Sequence, residues 1–319
     1  MKAMVLSEYG GPEKILALEE RPDPKPEAGQ IVVRNEAIGL NFIDIYQRTG
    51  LYPVALPAVL GSEGAGVVAA AGPGAAFKHG DRVAYLGSGA YAERTAVPAV
   101  MAAKLPDALF FEIAAASFLK GLTAEMLIRR IYPLGPGKTA LVYAAVGGVG
   151  TILTQWAAHL GAAVIAVVGD EEKAKLARTL GARRAIIRTK TASIAAAVRE
   201  ASGGVDVVYD SVGAATFEAS LDSLKPLGMM VSYGNASGPV PPFAPLELAR
   251  RGSLVFTRPS LFHYATPERL PEMAAGLFEV IARGAVKIPP PRVFPLADAA
   301  AAHRLLESGK STGSIVLRP

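Results

Sequence analysis

Among its 319 residues the chain has no cysteine. Disulfides, thiolate metal sites and a cysteine nucleophile are thereby excluded together. Histidine is nearly as scarce, and His79, His159, His263 and His303 lie neither one helical turn apart nor beside a Glu-x-x-His pattern. Each reads as a surface or packing residue, so no metalloenzyme is expected. No run approaches the roughly 18 apolar residues of a membrane span. The first residues, "MKAMVLSEYGG", lack the apolar stretch and cleavage site of a secretory signal. Blocks of like charge are missing as well, and the net +5 is spread along the chain, which suits phosphate-bearing small molecules as well as nucleic acid. Basic residues are not interleaved with aromatics in a stripe and there is no RNA-binding signature, which argues against nucleic acid. A cytoplasmic globular protein is expected, and 51% apolar residues over this length suffice for two domains with real cores.

What is present falls into two patterns. The first hundred residues carry short β-like runs, "MKAMVL", "QIVVRNEAIGL", "GAGVVAAAG" and "DRVAYL", separated by turn clusters such as "RPDPKPEAG". Strands at this spacing predict a compact barrel-like domain. From about residue 108, "DALFFEIAAASFLKGLTAEMLIRRIY" has apolar residues at helical spacing, with Gly121 as a break. A βαβα series follows: a strand over Ala140–Tyr143, a helix to about His159, a strand over Ala163–Val168 and a helix over Glu171–Leu180. With further units in "VDVVYDSVG", "SLDSLKPLGMMVSYGN" and "SLVFTRP", it predicts a doubly wound parallel α/β sheet. A helix in "ERLPEMAAGLFEVIARG", another opened by an Asp298 cap, and a last strand "SIVLRP" are expected to return to the first domain.

Between the first two strands of that series stands "AVGGVG", with Ala145 in the first glycine slot of a dinucleotide fingerprint and glycines at 147 and 150. Its position after an apolar strand and before a helix is what gives the match weight. Gly147 lets the backbone approach a pyrophosphate and Gly150 lets the helix pack on the strand. The helix N-terminus, with Gly148 and Val149 in its first turn, supplies amide donors to phosphate. Two other stretches, "GKST" at 309–312 and "GKT" at 137–139, are not P-loops, since the required first glycine falls at Arg304 and Tyr132.

"NFIDIYQRTGLYP", "GSEGAG", "SFLKGLTA", "AAVGGVG", "VVYDSVG", "MMVSYGN" and "VFTRPSL", in this order, make the chain resemble the zinc-independent, zeta-crystallin-like quinone oxidoreductases of the medium-chain dehydrogenase/reductase family. The resemblance covers essentially the whole chain. It implies a GroES-like β-barrel catalytic domain over 1–120, completed by 259–319, a Rossmann domain over 121–258, and an active site in the cleft. It also implies reduction of a quinone by NADPH, and a homodimer. Zinc-bearing relatives have a histidine as metal ligand where this chain has Ser62, and a cysteine among the ligands that this chain lacks altogether.

The resemblance implies Asn41, Tyr46 and Thr123 around the nicotinamide and the substrate. Asn41 and Thr123 would orient a carboxamide or substrate oxygen, and Tyr46 would steer or protonate. Asp44, Tyr52 and Lys120 are nearby, but a turn cap, a packed ring and a surface charge are equally good readings. Tyr233 and Asn235, in "MMVSYGN", complete the candidate cofactor set. The strand "AVIAVV" ends at Val168 and Gly169 with no acidic residue at the usual ribose-binding place. That leaves room for an extra phosphate within reach of Lys173 and Arg188. Asp170 lies two residues beyond that place; it either caps the next helix, the reading preferred here, or binds the ribose. The same fold and cleft also suit an enone or alkenal reductase, and lens zeta-crystallins, which resemble this chain, bring an RNA-binding alternative.

Overall fold

The computed structural model describes residues 1–12, 17–190 and 193–319. Eight strands come first: β1 (Lys2–Leu6), β2 (Ala17–Glu20), β3 (Gln30–Leu40), β4 (Ala58–Val59), β5 (Glu63–Ala71), β6 (Arg82–Leu86), β7 (Arg94–Pro98) and β8 (Ala102–Lys104). Six more follow: β9 (Thr139–Tyr143), β10 (Ala163–Val168), β11 (Arg184–Ile187), β12 (Val205–Asp210), β13 (Leu224–Ser232) and β14 (Val255–Thr257). The last two are β15 (Arg292–Pro295) and β16 (Ile315–Arg318). The chain divides into two compact units, one of Met1–Lys120, Ala265–Phe278 and Ile288–Pro319, the other of Gly121–Tyr264 and Glu279–Lys287. Relative to the outline expected from the sequence, 259–264 and 279–287 group with the second unit.

In the first unit a seven-stranded sheet runs β15-β16-β3-β5-β6-β8, with β7 also paired to β3, and a smaller sheet runs β2-β1-β4. Register shifts between β3 and β5, at Val32/Val33 and Asn35/Ala37, mark irregularities of the kind that bend a sheet. Ile31, Val33, Ile38, Val68, Val83, Tyr85, Tyr91 and Leu317 belong to its core. Asn35 is buried in that apolar setting, yet it is satisfied. Its amide donates to Ala90 O, Ala92 O and Thr95 Oγ1, and Tyr85 Oη donates to its Oδ1 at 2.9 Å. A polar group so paired carries little of the desolvation penalty of an unpaired one.

The second unit is a six-stranded sheet of order β11-β10-β9-β12-β13-β14, every pair parallel. β9 and β10 are apolar and almost wholly buried, as strands covered on both faces must be. The order reverses between β9 and β12, which is the switch point of a doubly wound fold, beyond whose strand ends ligands bind. Gly121 does not break its helix: Phe111–Glu125 is continuous and Met126–Ile131 widens into a π-helix. Residues 114–128 are all buried, and burial outweighs the cost of about 1 kcal/mol for a helical glycine. Among the described residues no helix is long and apolar enough to cross a membrane.

Candidate active site

In the second unit β9 ends at Tyr143 and the chain turns through Ala144, which is left-handed at φ 49°. The helix Gly148–His159 then begins, with Gly147 as its N-cap. No side chain caps it and its first turn has no acidic residue. The first helical bond is Thr151 N–H to Gly147 O at 2.8 Å, so the amides of Gly148, Val149 and Gly150 have no partner one turn back in the helix. They form a positive helix end suited to phosphate. A Cβ added to Gly150 would stand 2.8 Å from Ala145 Cα, so only glycine lets helix and strand approach this closely.

Past β10 a Cβ on Gly169 would meet nothing within 4 Å, so the strand end is open. Val168 pairs with Ile187, which sets Gly169 and the exposed Arg188 at neighbouring strand ends. Asp170 caps the next helix, Glu171–Thr179, by accepting from the Lys173 N–H at 2.8 Å. Lys173 Nζ is 3.9 Å from its other oxygen. On the far side of the switch point, Tyr233 and Asn235 lie half-buried in the loop after β13. These donors, the open glycine and the absence of an acid at the strand end fit a dinucleotide with an additional phosphate. Thr123, buried on the helix Phe111–Glu125, also belongs to this unit.

Asn41 and Tyr46 belong to the first unit, at the N-cap of and within the helix Phe42–Arg48. Asn41 Nδ2 donates to Glu63 Oε1 at 2.9 Å and to Gly39 O at 3.3 Å. Glu63 is fully buried on β5, and it also accepts from Lys120 Nζ at 2.9 Å and from Leu119 N at 2.7 Å. Beside it, Asp44 accepts from the Asn41 N–H, Ser62 Oγ and Tyr91 Oη at 2.8, 2.9 and 3.1 Å. Tyr46 packs edge-on against Tyr52, ring centres 5.2 Å apart.

The halves of the chain match the family models "Alcohol dehydrogenase GroES-like domain", over residues 27–107, and "Zinc-binding dehydrogenase", over 148–281. The quinone oxidoreductase of Pseudomonas aeruginosa is 47% identical over 100% of this chain and 99% of its own. A crystal structure of Escherichia coli quinone oxidoreductase complexed with NADPH superposes with a TM-score of 0.97 at 44% identity, over 100% of both chains. A 2-haloacrylate reductase from a Burkholderia species is 42% identical over 99% of this chain and 98% of its own. The chain belongs to the quinone oxidoreductases of the medium-chain dehydrogenase/reductase family.

In this quinone oxidoreductase family member, the Ser62 hydroxyl donates to Asp44 Oδ1 at 2.9 Å. Among the described residues no group of three or more His, Cys, Asp or Glu is placed to hold a metal ion. Lys120, which the sequence left open as a surface charge, is instead buried in an ion pair. Asp44 bonds to the Asn41 N–H as a turn cap does, and it is also the centre of a buried network. Sequence reasoning missed Glu63, Arg48 and His303; the available signal was Glu63 itself, a charge set in the otherwise apolar β5.

Burial pushes the Asp44 carboxyl up to about 7, against the hydrogen bonds of the Asn41 N–H, Ser62 and Tyr91 and the charge of Lys120. His303 is pushed down to about 3, by burial first and by the Arg48 charge second. Arg48 can only donate, so His303 Nδ1, 3.4 Å away, accepts, and the proton sits on Nε2, facing Tyr91 Oη at 3.0 Å. Arg48 is itself forked onto Glu307.

The two shifts act on stability with opposite sign. Below its ordinary value of 6.5, His303 takes a proton in the unfolded chain but not in the folded one until about pH 3, so its share of stability falls as pH falls. Asp44 keeps a proton in the folded chain up to about 7 that the unfolded chain loses near 3.8, so its share falls as pH rises. We expect His303→Gln to be less stable at pH 7, yet to lose about 2 kcal/mol less than the parent between pH 6.5 and 5. Urea unfolding at both pH values measures this. An equal loss in the two proteins would show that the folded state already holds His303 charged.

Proposed function

We propose that this chain is a quinone reductase that uses NADPH and needs no metal. The full-length likeness to a quinone oxidoreductase bound to NADPH carries this reading, and the open helix end at Gly148–Gly150 with the unobstructed Gly169 supports it on this chain's own residues. NADPH, when bound, supplies the hydride; the protein's task is to align and stabilise. The amides of Gly148, Val149 and Gly150 hold the pyrophosphate, Ala145 and Gly147 keep its path clear, and Lys173 and Arg188 hold the extra phosphate beside Gly169. Tyr233, Asn235, Thr123 and Asn41 orient the nicotinamide half. Glu63 fixes the Asn41 amide, and Tyr46 borders the acceptor. Simple alcohols need an ion such as zinc to stabilise the alkoxide, whereas a quinone is electron-poor and its reduced form spreads charge over an aromatic ring. Hydrogen bonds suffice for the second but not the first, so a substrate panel followed by NADPH absorbance should show quinone turnover and none of ethanol. Stoichiometric zinc in chelator-treated, still active protein would overturn the metal-free reading, and efficient turnover of ethanol by metal-free protein would overturn the argument from the missing zinc. The likeness to a 2-haloacrylate reductase favours activated alkenes as a second substrate class, to be read in the same panel.

Preference for the phosphorylated cofactor is testable at Lys173. A charge-assisted bond to phosphate contributes roughly 1.5 to 3 kcal/mol, so Lys173→Ala should weaken NADPH by about tenfold or more and leave NADH nearly untouched. Equal losses would show that Lys173 is structural or that Asp170 binds the ribose, and would overturn Lys173 as the phosphate contact. The proposal includes a homodimer: β14 is an edge strand, with Val255 and the nearby-in-sequence Leu246 both exposed, and such an edge is a liability unless paired. Light scattering at micromolar concentration should give twice the chain mass. A cytoplasmic location goes with this reading, since the cofactor is an intracellular metabolite.

A further inference from the structure

"VVYDSVG" and "MMVSYGN" stand at the ends of adjacent parallel strands, since Asp210 of β12 pairs with Ser232 of β13. Asp210 is fully buried. Its Oδ1 accepts from the Val212 and Gly213 amides at 2.7 and 3.1 Å, and its Oδ2 accepts from Thr216 Oγ1 and Ser220 Oγ, each at 2.7 Å. Its main-chain oxygen accepts from the Tyr233 N–H at 2.8 Å. One residue thus holds the loop that follows its own strand and the first residue of the next loop.

The two loops are also joined directly. Ser211 O accepts from Ala236 N, Val212 O from Ser237 N and Oγ, and Gly238 O from Ala214 N. They lie so close that a Cβ on Gly234 would come within 2.9 Å of Ser211 Cα. Tyr233 and Asn235 are in the second loop. Because the strand order reverses between β9 and β12, a dinucleotide spanning the crevice has one half over β9 and β10, where Gly169 and Lys173 lie, and the other over β12 and β13.

We infer that Asp210 is a positioning residue for the nicotinamide half of the cofactor, setting as one rigid shelf the two loops that would hold it. The inference rests on the NADPH reading given above. A merely structural carboxylate would, when lost, weaken the whole unit; a positioning one would spare the adenine half, whose contacts lie on the other side of the switch point.

The experiment titrates the chain with NADPH and, separately, with adenosine 2′,5′-bisphosphate, which has the adenine half and the extra phosphate but no nicotinamide. Asp210→Ala leaves four donors without their acceptor. It should raise the NADPH dissociation constant by about tenfold or more while moving that of the bisphosphate by less than about twofold. Asp210→Asn keeps an acceptor for the two amides, so it should fold if the alanine variant does not, and should show the same selective loss at smaller size. Equal loss of both ligands in the folded variant, or NADPH binding left unchanged, would overturn the inference. Failure of the unaltered chain to bind either ligand would instead overturn the functional reading, and this inference with it.

Discussion

Lys120→Met will cost the fold about 3–5 kcal/mol, the usual consequence of leaving one member of a buried ion pair without the other. Lys120 Nζ lies 2.9 Å from Glu63 Oε1, with the side chains 6% and 0% exposed. The methionine fills similar volume, so the loss is electrostatic. Glu63 would keep its bonds from Leu119 N and Asn41 Nδ2 but not the cation that offsets its desolvation. Adding Glu63→Gln removes the stranded charge, and the double variant should regain most of the loss in urea unfolding. Stability lost additively in the two changes would show that the pair is not coupled. The double variant should still have impaired quinone reduction if Glu63 aims Asn41, since a glutamine amide competes with the Asn41 amide as donor.

The second large effect is expected at Gly150. An alanine there would put Cβ 2.8 Å from Ala145 Cα and closer still to the Ala144 carbonyl. Helix Gly148–His159 would have to move away from β9, and its first-turn amides would leave the phosphate position. Fluorescence titration should show NADPH binding weakened by tenfold or more, with a lowered unfolding midpoint, since strain of this kind belongs to the costly classes of substitution. Gly276 is the control: it lies inside the helix Leu270–Ala282, and a Cβ there would meet nothing within 4 Å. Gly276→Ala should stabilise by about 1 kcal/mol. A Gly150→Ala protein that bound NADPH normally would show that the helix end can shift without consequence, and would remove the loop from the proposed phosphate site.

Much of the second unit was legible because its signals are local. β10 begins and ends at Ala163 and Val168, as its apolar run indicates, and the helix after "AVGGVG" ends at His159. An apolar strand, a glycine turn and an amphipathic helix each declare themselves within a few residues. The Asp170 cap was legible on the same ground, since its carboxylate accepts from a backbone N–H just three residues on, that of Lys173. Gly121 misled because local propensity is a weak prior, and the buried run from Ala114 to Ile128 overrides it. Asp298 is at the N-cap position of its helix, but no side-chain cap bond forms there.

By itself the sequence determined the doubly wound α/β sheet, the glycine turn that opens the helix Gly148–His159, the bounds of β10 and the absence of every cysteine. Those depend on residue type and on spacing along one stretch of chain. Only the tertiary structure decided that Glu63 meets Lys120 and Asn41, that Asp44 gathers Ser62 and Tyr91, and that His303 reaches Tyr91 across 212 positions. A charged side chain in a sequence has the same letter whether it faces water or a partner. The strand pairings that exclude water are what give Glu63, Asp44 and Asp210 their partners, and with them their chemistry.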